Sequence, residues 1–245
     1  MSNSPLVYAL SDGVKENRLL SLLSHEDRTR LEPFLEHVHL ASHQTLATQH
    51  QPLAHVYFPI DAVTSTLLEL PDGESIEVGL MGAEGLTGLN LLYGVARSNT
   101  TVIAQIPGSA VRMPVPEFVR EVVRPGGPAY QLMLRYAHAF NEMVAEVAAC
   151  NASHSVEQRC ARWILLAHDR VGRDSFPLTH EYLALMLGVR RASVSSAASL
   201  LRMVGAIDYS RGHVNVTDRE RLISAACGCY GAMVATMEDF FDPKA

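Results

Sequence analysis

The chain lacks the features that mark membrane and secreted proteins. No apolar run among its 245 residues approaches the roughly 18 residues that a membrane-spanning helix needs. The first residues show no basic start followed by an apolar stretch, so we expect no secretory signal. These absences predict a cytoplasmic protein without a membrane partner.

Cysteine is scarce: the sequence has four, and none belongs to a C-x-x-C pair of the kind found in zinc sites. A disulfide framework is not expected in a cytosolic chain of this size. Cys227 and Cys229 form the only close pair, and we interpret them as small apolar residues of a helix rather than as metal or redox groups. The sequence therefore predicts no metal site and no resident cofactor.

Catalytic motifs are also missing. Neither a P-loop nor a G-x-S-x-G motif occurs. The stretch "HEYLA" (180–184) begins like the H-E-x-x-H motif of zinc proteases, but Ala184 stands where the second histidine ligand belongs. We predict that the chain is not an enzyme.

Histidines are frequent near the N-terminus, and His37 and His39 would share one face of a strand, where they could bind a metal ion. Four more lie close in sequence: His25, His43, His50 and His55. We interpret them as exposed residues and keep a metal-sensing role as an alternative.

The charge that is present is unevenly distributed. The whole chain carries −6, with 48% apolar and 19% charged residues, which is typical of one large or two modest globular domains. Residues 159–213 hold eight arginines against four acids, so this segment is +4 and the remainder −10. This asymmetry indicates a local surface that faces an anion.

Three patterns follow one another along the chain. Residues 16–36 have helical spacing with a start signal at Ser24. Six stretches rich in β-branched and aromatic residues follow, at 37–42, 55–60, 62–70, 75–81, 100–106 and 109–115. "LPDGES" (70–75) predicts a hairpin turn, and strands at this spacing predict an antiparallel barrel or jelly roll.

A long helix is predicted after "GGP" (126–128), over residues 129–150. Its apolar residues recur every three or four positions, as in a helix that packs on a partner helix. The predicted dimer contacts are Met133, Tyr136, Ala137, Phe140, Met143, Val144 and Val147. Packing of this stripe on its own barrel is the alternative. A helix over 155–171 follows "CNASHS" (150–155), which we interpret as the hinge between domains.

Residues 178–204 carry the spacing of a helix-turn-helix. Thr179 is a good N-cap, Gly188 a good helix end, and a second helix begins almost at once. Ala184 would let the two helices cross closely, and Val194 would fill the crossing.

Short side chains dominate the second helix, "RRASVSSAASLL" (190–201). At 100° per residue, its buried face would comprise Val194, Ala197, Leu201 and Val204. The opposite face would comprise Arg191, Ala192, Ser195, Ser199 and Arg202. Small residues let such a helix enter the major groove, while arginines and hydroxyls reach base edges and phosphates. The alternative is an ordinary Ser/Ala-rich surface helix.

A hairpin, "IDYSRGHVNV" (207–216), follows the second helix and predicts a wing with Arg211 and His213 at its tip. With this wing, the sequence resembles the cyclic-AMP receptor protein/Fnr (Crp/Fnr) family of bacterial transcription regulators over residues 18–225. The resemblance implies an α+β fold with an N-terminal cyclic-nucleotide-binding-type β-roll, a long dimerisation helix and a C-terminal winged helix-turn-helix. We accordingly expect domains at 16–127, 128–153 and 154–245.

The resemblance also implies residue roles. Phosphate contacts fall on Thr179, Arg190, Ser193 and His213, and base contacts on Arg191, Ala192 and Ser196. Well-known members carry Arg, Glu and Arg at the base-reading positions, so the familiar operator is not expected. Double-stranded DNA, a second copy of the chain and RNA polymerase are the implied partners.

The ligand pocket departs from the family pattern. Gly88, Arg97 and Ser98 are retained, but Leu89 replaces the glutamate that holds the ribose hydroxyl, and Val144 and Ala145 replace the residues that contact adenine. We therefore do not expect tight cyclic-AMP binding. Arg97 is left either to hold another nucleotide or small effector or to pair with Glu77 or Glu84. The iron–sulfur cluster of the Fnr branch of this family needs several N-terminal cysteines. The first cysteine here is Cys150, so no such cluster is expected.

The sequence thus predicts a homodimeric transcription regulator that binds a palindromic DNA site. Control of its abundance alone, without an effector, is one alternative. A ligand- or metal-sensing module whose winged helix contacts protein rather than DNA is the other.

Overall fold

The computed structural model describes residues 16–242. Polar residues cap the N-termini of its first two helices. Helix α1 is Arg18–Ser21, α2 is His25–Leu31, and a 3-10 helix, Glu32–Phe34, continues α2. The side chain of Ser24 accepts a hydrogen bond from Asp27 N (3.1 Å), as expected for the predicted start signal. Asn17 caps α1 and donates from Nδ2 to Pro59 O and Gly85 O, both at 2.8 Å. The predicted helical segment is therefore two short helices and a 3-10 turn, and the second helix begins after Ser24, as predicted.

Two antiparallel sheets follow. The strands are β1 Glu36–Leu40, β2 Thr45–Ala47, β3 His55–Pro59, β4 Val63–Glu69, β5 Ser75–Met81, β6 Thr101–Ile106 and β7 Gly108–Pro114. One sheet has the order β1-β7-β3 and the other β2-β6-β4-β5. Fully buried residues such as Phe58, Ile106 and Met113 form the core of this part of the chain. All six strands predicted for this part of the chain are present, and of the seven strands β1–β7 the three-residue β2 is the one that was not predicted.

The long helix α4, Pro128–Ser153, follows α3 (Val115–Phe118) and one π-helical turn (Val119–Val123). Its apolar stripe is buried within the single chain: Met133, Tyr136, Ala137, Phe140, Met143 and Val147 are each less than one tenth exposed. The Tyr136 hydroxyl lies so close to Gly85 that a Cβ there would come within 1.8 Å of it. The stripe predicted as a dimer seam therefore reflects packing inside the chain, and of the seven residues only Val144 is partly exposed.

The described residues divide into two compact units, one holding 16–69 and 80–140, the other 70–79 and 141–242. The second unit contains α5 Val156–Val171, β8 Ser175–Pro177, α6 His180–Leu187, α7 Arg191–Met203, β9 Ile207–Ser210, β10 His213–Val216, α8 Arg219–Ala225 and α9 Cys229–Phe241. Helix α5 packs against α6, α7, α8 and α9. Its buried Trp163 donates from Nε1 to Glu77 Oε1 (2.8 Å) in the 70–79 segment.

The predicted hinge is shorter than expected. Helix α4 continues through Ser153, and Ser155 already caps α5 in a capping box with Gln158. Only His154 and Ser155 therefore separate the two helices.

A buried polar network holds α5, α8 and α9 together. Asp169 accepts hydrogen bonds from Arg219 Nη2 (2.5 Å) and from the Tyr230 hydroxyl (2.8 Å). Arg219 Nη1 also lies 2.9 Å from Nδ1 of His168. The other ring nitrogen of His168, Nε2, lies 3.0 Å from Asp174 Oδ1. The Asp169 side chain is fully buried, so its charge depends on these partners.

Among residues 16–242, no helix combines the length and the apolar character needed to cross a membrane.

Candidate nucleic-acid interface

Local capping fixes the turn between α6 and α7. Thr179 Oγ1 accepts from Tyr182 N (3.3 Å) at the start of α6. Gly188 ends α6 in the left-handed conformation (φ 60°), which favours glycine, and a Cβ there would come within 2.7 Å of the Ile76 side chain. Arg190 then caps α7, so two helices meet across a turn of three residues.

The buried face of α7 is nearly the predicted one. Val194, Ala197 and Leu201 are buried, and Val194 is fully enclosed. Val204 was wrongly placed on this face: α7 ends at Met203, so Val204 is the cap residue and is 49% exposed. Ala198 is buried in its stead.

The opposite face of α7 is open to solvent. Its exposed members are Arg190, Arg191, Ala192, Ser196, Ser199 and Arg202, while Ser193 is half-buried. Ser196 and Ser199 donate their hydroxyl protons back to the helix, to Ala192 O (3.2 Å) and Ser195 O (2.9 Å). In this rotamer each hydroxyl oxygen remains a hydrogen-bond acceptor, and amino groups of adenine and cytosine are its natural partners in the major groove.

Two arginines of this face are held by neighbouring carboxylates. Arg191 Nε lies 2.5 Å from Glu181 Oε1, and Arg202 Nε lies 3.1 Å from Asp208 Oδ1. All four side chains are more than half exposed, and ion pairs of this kind are worth about 0–1 kcal/mol. A phosphate or a guanine edge can therefore replace either carboxylate at small cost.

Ser195 is not part of the exposed group. Its Oγ lies 2.9 Å from His180 Nδ1, and the His180 ring packs edge-on against Tyr209, with centroids 4.7 Å apart. Burial lowers the pKa of His180, and the nearby Arg191 charge lowers it further, which favours a neutral imidazole. Ser195 thus joins α7 to α6, and the position of His180 just after the Thr179 cap is the sequence signal that would have indicated this.

The wing is a two-residue hairpin. Arg211 (φ 49°) and Gly212 (φ 77°) both have positive φ, as in the turns that suit tightly paired strands. Leu178 N donates to Gly212 O (2.8 Å), which ties the turn to the residue before Thr179. Arg211 and His213 are both exposed, but His213 is the first residue of β10 rather than part of the tip. Strand β8, which was not predicted, completes a sheet of order β8-β10-β9.

The basic segment contributes fewer charges to the surface than its sequence suggests. Arg159, Arg162 and Arg170 are buried. Arg159 Nη2 donates to Leu187 O at the end of α6, and Arg170 Nη1 donates to Leu166 O (2.9 Å). The five arginines at 173, 190, 191, 202 and 211 are exposed.

The predicted ligand residues lie in the first unit. Gly88 adopts the left-handed conformation (φ 78°) at the start of a 3-10 helix, Leu89–Tyr93. Arg97 is exposed and donates to His50 O (3.0 Å), so the alternative in which it pairs with Glu77 or Glu84 is not observed. Ser98 is buried, and its hydroxyl donates to Thr100 O (2.5 Å).

Comparisons with known proteins agree with this geometry. Residues 158–225 match the family model of the Crp-like helix-turn-helix domain. Curated protein sequences give no significant match. Similar solved structures include a protein from Eubacterium rectale assigned to the Crp/Fnr regulators, with a TM-score of 0.67, 15% identity, and coverage of 85% of this chain and 97% of the other.

Two further structures are similar. A CRP-family transcriptional regulator from Thermus thermophilus gives a TM-score of 0.64 at 22% identity, covering 77% of this chain and 96% of its own. FixK2 from Bradyrhizobium japonicum gives 0.63 at 14% identity, covering 79% and 98%.

The N-terminal antiparallel sheets, the long helix and the C-terminal helix-turn-helix confirm the predicted fold class. Residues 158–225 are therefore a Crp-like helix-turn-helix domain, set in a chain whose fold is similar to that of solved structures assigned to the Crp/Fnr regulators.

Proposed function

We propose that this Crp/Fnr-type regulator binds a palindromic double-stranded DNA site as a homodimer and thereby controls transcription. The observation that carries the proposal is the open face of α7, where small side chains lie between exposed arginines beside an exposed wing. A helix with short side chains can bring its backbone deep into the major groove.

The residues divide into those that position the protein and those that select a sequence. Arg191 is our candidate for bidentate recognition of guanine, with Ala192 and Ser196 beside it. Thr179, Arg190, Ser193, Arg211 and His213 are our candidates for phosphate contacts. Ser199 and Arg202 extend the same surface, whereas Ser195 maintains the crossing of α6 and α7.

Dimer formation would use the face of α4 that the chain itself leaves open. Exposed or partly exposed residues recur along this face: Gln131, Leu134, His138, Asn141, Ala145, Ala148 and Ala152. A repeat of three or four residues is the spacing with which two helices pack side by side. Val144 is the one residue of the predicted interface that can contribute to such a contact.

Cyclic AMP is not part of the proposal. The Ser98 hydroxyl and the Arg97 guanidinium hydrogen-bond to main-chain carbonyls of the chain, and Leu89 offers no acceptor for a ribose hydroxyl. We expect another small effector or none. RNA polymerase is the expected protein partner, and a regulator of transcription acts where the DNA is, which supports a cytoplasmic location.

The test is to incubate the purified full-length protein, without added ligand, with random duplex DNA at about 0.15 M salt and to sequence the retained fraction. We expect a palindrome with half-sites about 10 base pairs apart. Affinity for that site should fall about 10³-fold between about 50 and about 200 mM salt, because phosphate-bound cations are displaced. A flat salt dependence would instead favour a winged helix that contacts protein.

A further inference from the structure

Four potential metal ligands converge in the second unit, although they are far apart in sequence. Cys150 lies in the last turn of α4 and His154 just after the end of that helix, whereas Cys227 precedes α9 and Cys229 is its first residue. The four ligand atoms all lie within 4.8 Å of one another. Among residues 16–242, no other group of three or more such side chains meets in this way, and the N-terminal histidines do not.

The distances suit a single tetrahedral ion. Cys150 Sγ lies 3.4 Å from Cys227 Sγ, and Cys229 Sγ lies 3.6 Å from His154 Nδ1. Zinc bonds to sulfur at about 2.3 Å, which places two tetrahedral thiolates about 3.8 Å apart. These two distances are near this value, whereas an iron–sulfur cluster would hold its ligands farther apart because several iron atoms lie between them.

The spacing of the ligands also favours a metal. His154 directly follows α4, and its main-chain N still donates to Cys150 O (3.1 Å), so it continues the last turn of the helix next to Cys150. Cys227 and Cys229 are separated only by Gly228 and bring two further thiols into the group. Three cysteines and one histidine are a regular ligand set of structural zinc sites.

The charges around the group are those that a thiolate-bound ion needs. Three thiolates and one Zn²⁺ carry a net charge of −1, which requires a nearby cation. Arg159 and Arg162 of α5 are buried, 7% and 3% exposed, and both act electrostatically on the Cys150 thiol. In the described part of the chain neither forms an ion pair with a carboxylate, and the Nε atoms of both are buried without a hydrogen-bond partner.

The remaining partners of this region are neutral or lie outside the group. Arg162 Nη1 contacts Met233 Sδ at 3.6 Å. Burial and the nearby Glu146 carboxylate, one turn before Cys150 on α4, both raise the pKa of the Cys229 thiol, but Glu146 is not one of the four converging ligands. Buried guanidinium groups without an anion are costly, and a metal–thiolate centre would supply that anion.

We propose that Cys150, His154, Cys227 and Cys229 bind one zinc ion. The site would join the last turn of α4 to the start of α9, across 77 residues of chain, and would fix the His154–Ser155 junction between α4 and α5. Its role would be structural, since all four coordination positions are filled by protein.

The first test measures the metal content of the full-length protein, purified with a thiol reductant and without added metal. Mass spectrometry of the elements should find one zinc per chain. Cys150→Ser, His154→Ala and the double variant Cys227→Ser/Cys229→Ser should lose this zinc. Cys160→Ser is the matched control, because Cys160 is equally buried but lies outside the group, and it should retain zinc.

A second measurement does not depend on whether the variants fold. Wild-type protein stripped of metal should bind one Co²⁺ per chain and develop the visible and ultraviolet absorption of tetrahedral cobalt–thiolate coordination, and Zn²⁺ should abolish these bands. A chelator should lower the melting temperature of wild type and of Cys160→Ser alike.

Three results would overturn the proposal. The first is a wild-type protein that holds no stoichiometric metal and gives no cobalt bands. The second is iron accompanied by acid-labile sulfide, which would indicate a cluster. The third is a Cys150–Cys227 disulfide found by peptide mass spectrometry in the protein as purified.

Discussion

The polar groups of the two units are used in different ways. Around α7, Arg191, Arg202 and Arg211 are exposed, and the first two have only exposed carboxylate partners, so they remain available for a ligand. In the first unit, Arg97 and Ser98 hydrogen-bond to main-chain carbonyls of the same fold. The polar side chains of the two units therefore differ. The arginines around α7 keep hydrogen-bond donors for a partner outside the chain, whereas Arg97 and Ser98 already bond within their own unit. The predictions below test that difference, in order of expected effect.

Removal of the buried carboxylate should cause the largest loss. Asp169→Ala would remove the carboxylate that accepts from Arg219 and from the Tyr230 hydroxyl, and breaking a buried pair in this way costs about 3–5 kcal/mol. Denaturant unfolding measures the change. Asp174→Ala is the control: its side chain is 76% exposed, and it should change the free energy of unfolding by about 0–1 kcal/mol. Equal effects of the two would show that the network does not stabilise this unit.

Arg191→Ala should abolish discrimination at one base of each half-site without unfolding the protein. A bidentate contact to guanine contributes about 1–3 kcal/mol of discrimination. Binding to the selected palindrome and to versions changed at each base, measured by fluorescence anisotropy, gives the value. Arg173→Ala, an exposed arginine outside the helix-turn-helix, should keep the full preference. If the preference survives in Arg191→Ala, another residue reads that base.

Arg97→Ala should have a small effect, because the side chain is exposed and its contact is a single hydrogen bond to His50 O. We expect a change of about 1 kcal/mol or less in the free energy of unfolding and no change in DNA affinity. Cyclic AMP should leave the affinity of wild type unchanged. A gain in affinity with cyclic AMP that disappears in the variant would show that Arg97 does bind the nucleotide.

The smallest effect concerns acid stability. The pKa of His180 lies below its ordinary value of 6.5 because burial disfavours the charged form, so between the two values the unfolded chain binds more protons than the folded one. Stability is therefore lost as the pH falls below about 6.5. His180→Asn should lose less stability between about pH 7.5 and about pH 5.5 than wild type does. His213→Asn, at an exposed site on the wing, is the control and should follow wild type; equal slopes for all three proteins would exclude His180 as the source.

The helix-turn-helix could be predicted because its determinants are local. All three determinants lie within 16 residues and act through their immediate neighbours. They are the N-cap at Thr179, the helix end at Gly188, and Val194, which packs where the two helices cross. The other strands were predictable for the same reason. β2 and β8 were not, because a strand of only three residues is too short to show an alternating pattern.

Features that depend on tertiary contacts could not be predicted. The stripe on α4 has the same spacing whether it faces a second chain or its own domain, and only the fold shows that it is buried internally. Arg159 and Arg162 count as surface charge in the sequence but are buried beside the Cys150 thiol. The meeting of Cys150 with Cys227 is set by how α4 and α9 lie in the second unit, which no local pattern specifies.

If the chain binds DNA as proposed, the hydrogen bond from Leu178 N to Gly212 O affects which DNA sequences it accepts. It ties the wing turn to the start of α6, so the distance between Arg211 and the open face of α7 is set by the protein. A duplex must therefore bring one phosphate and one stretch of major groove to that fixed separation, by its own shape or by bending. Sequences differ by several kcal/mol in the cost of such deformation. Base pairs that no side chain touches would then contribute to the choice of site through their stiffness alone.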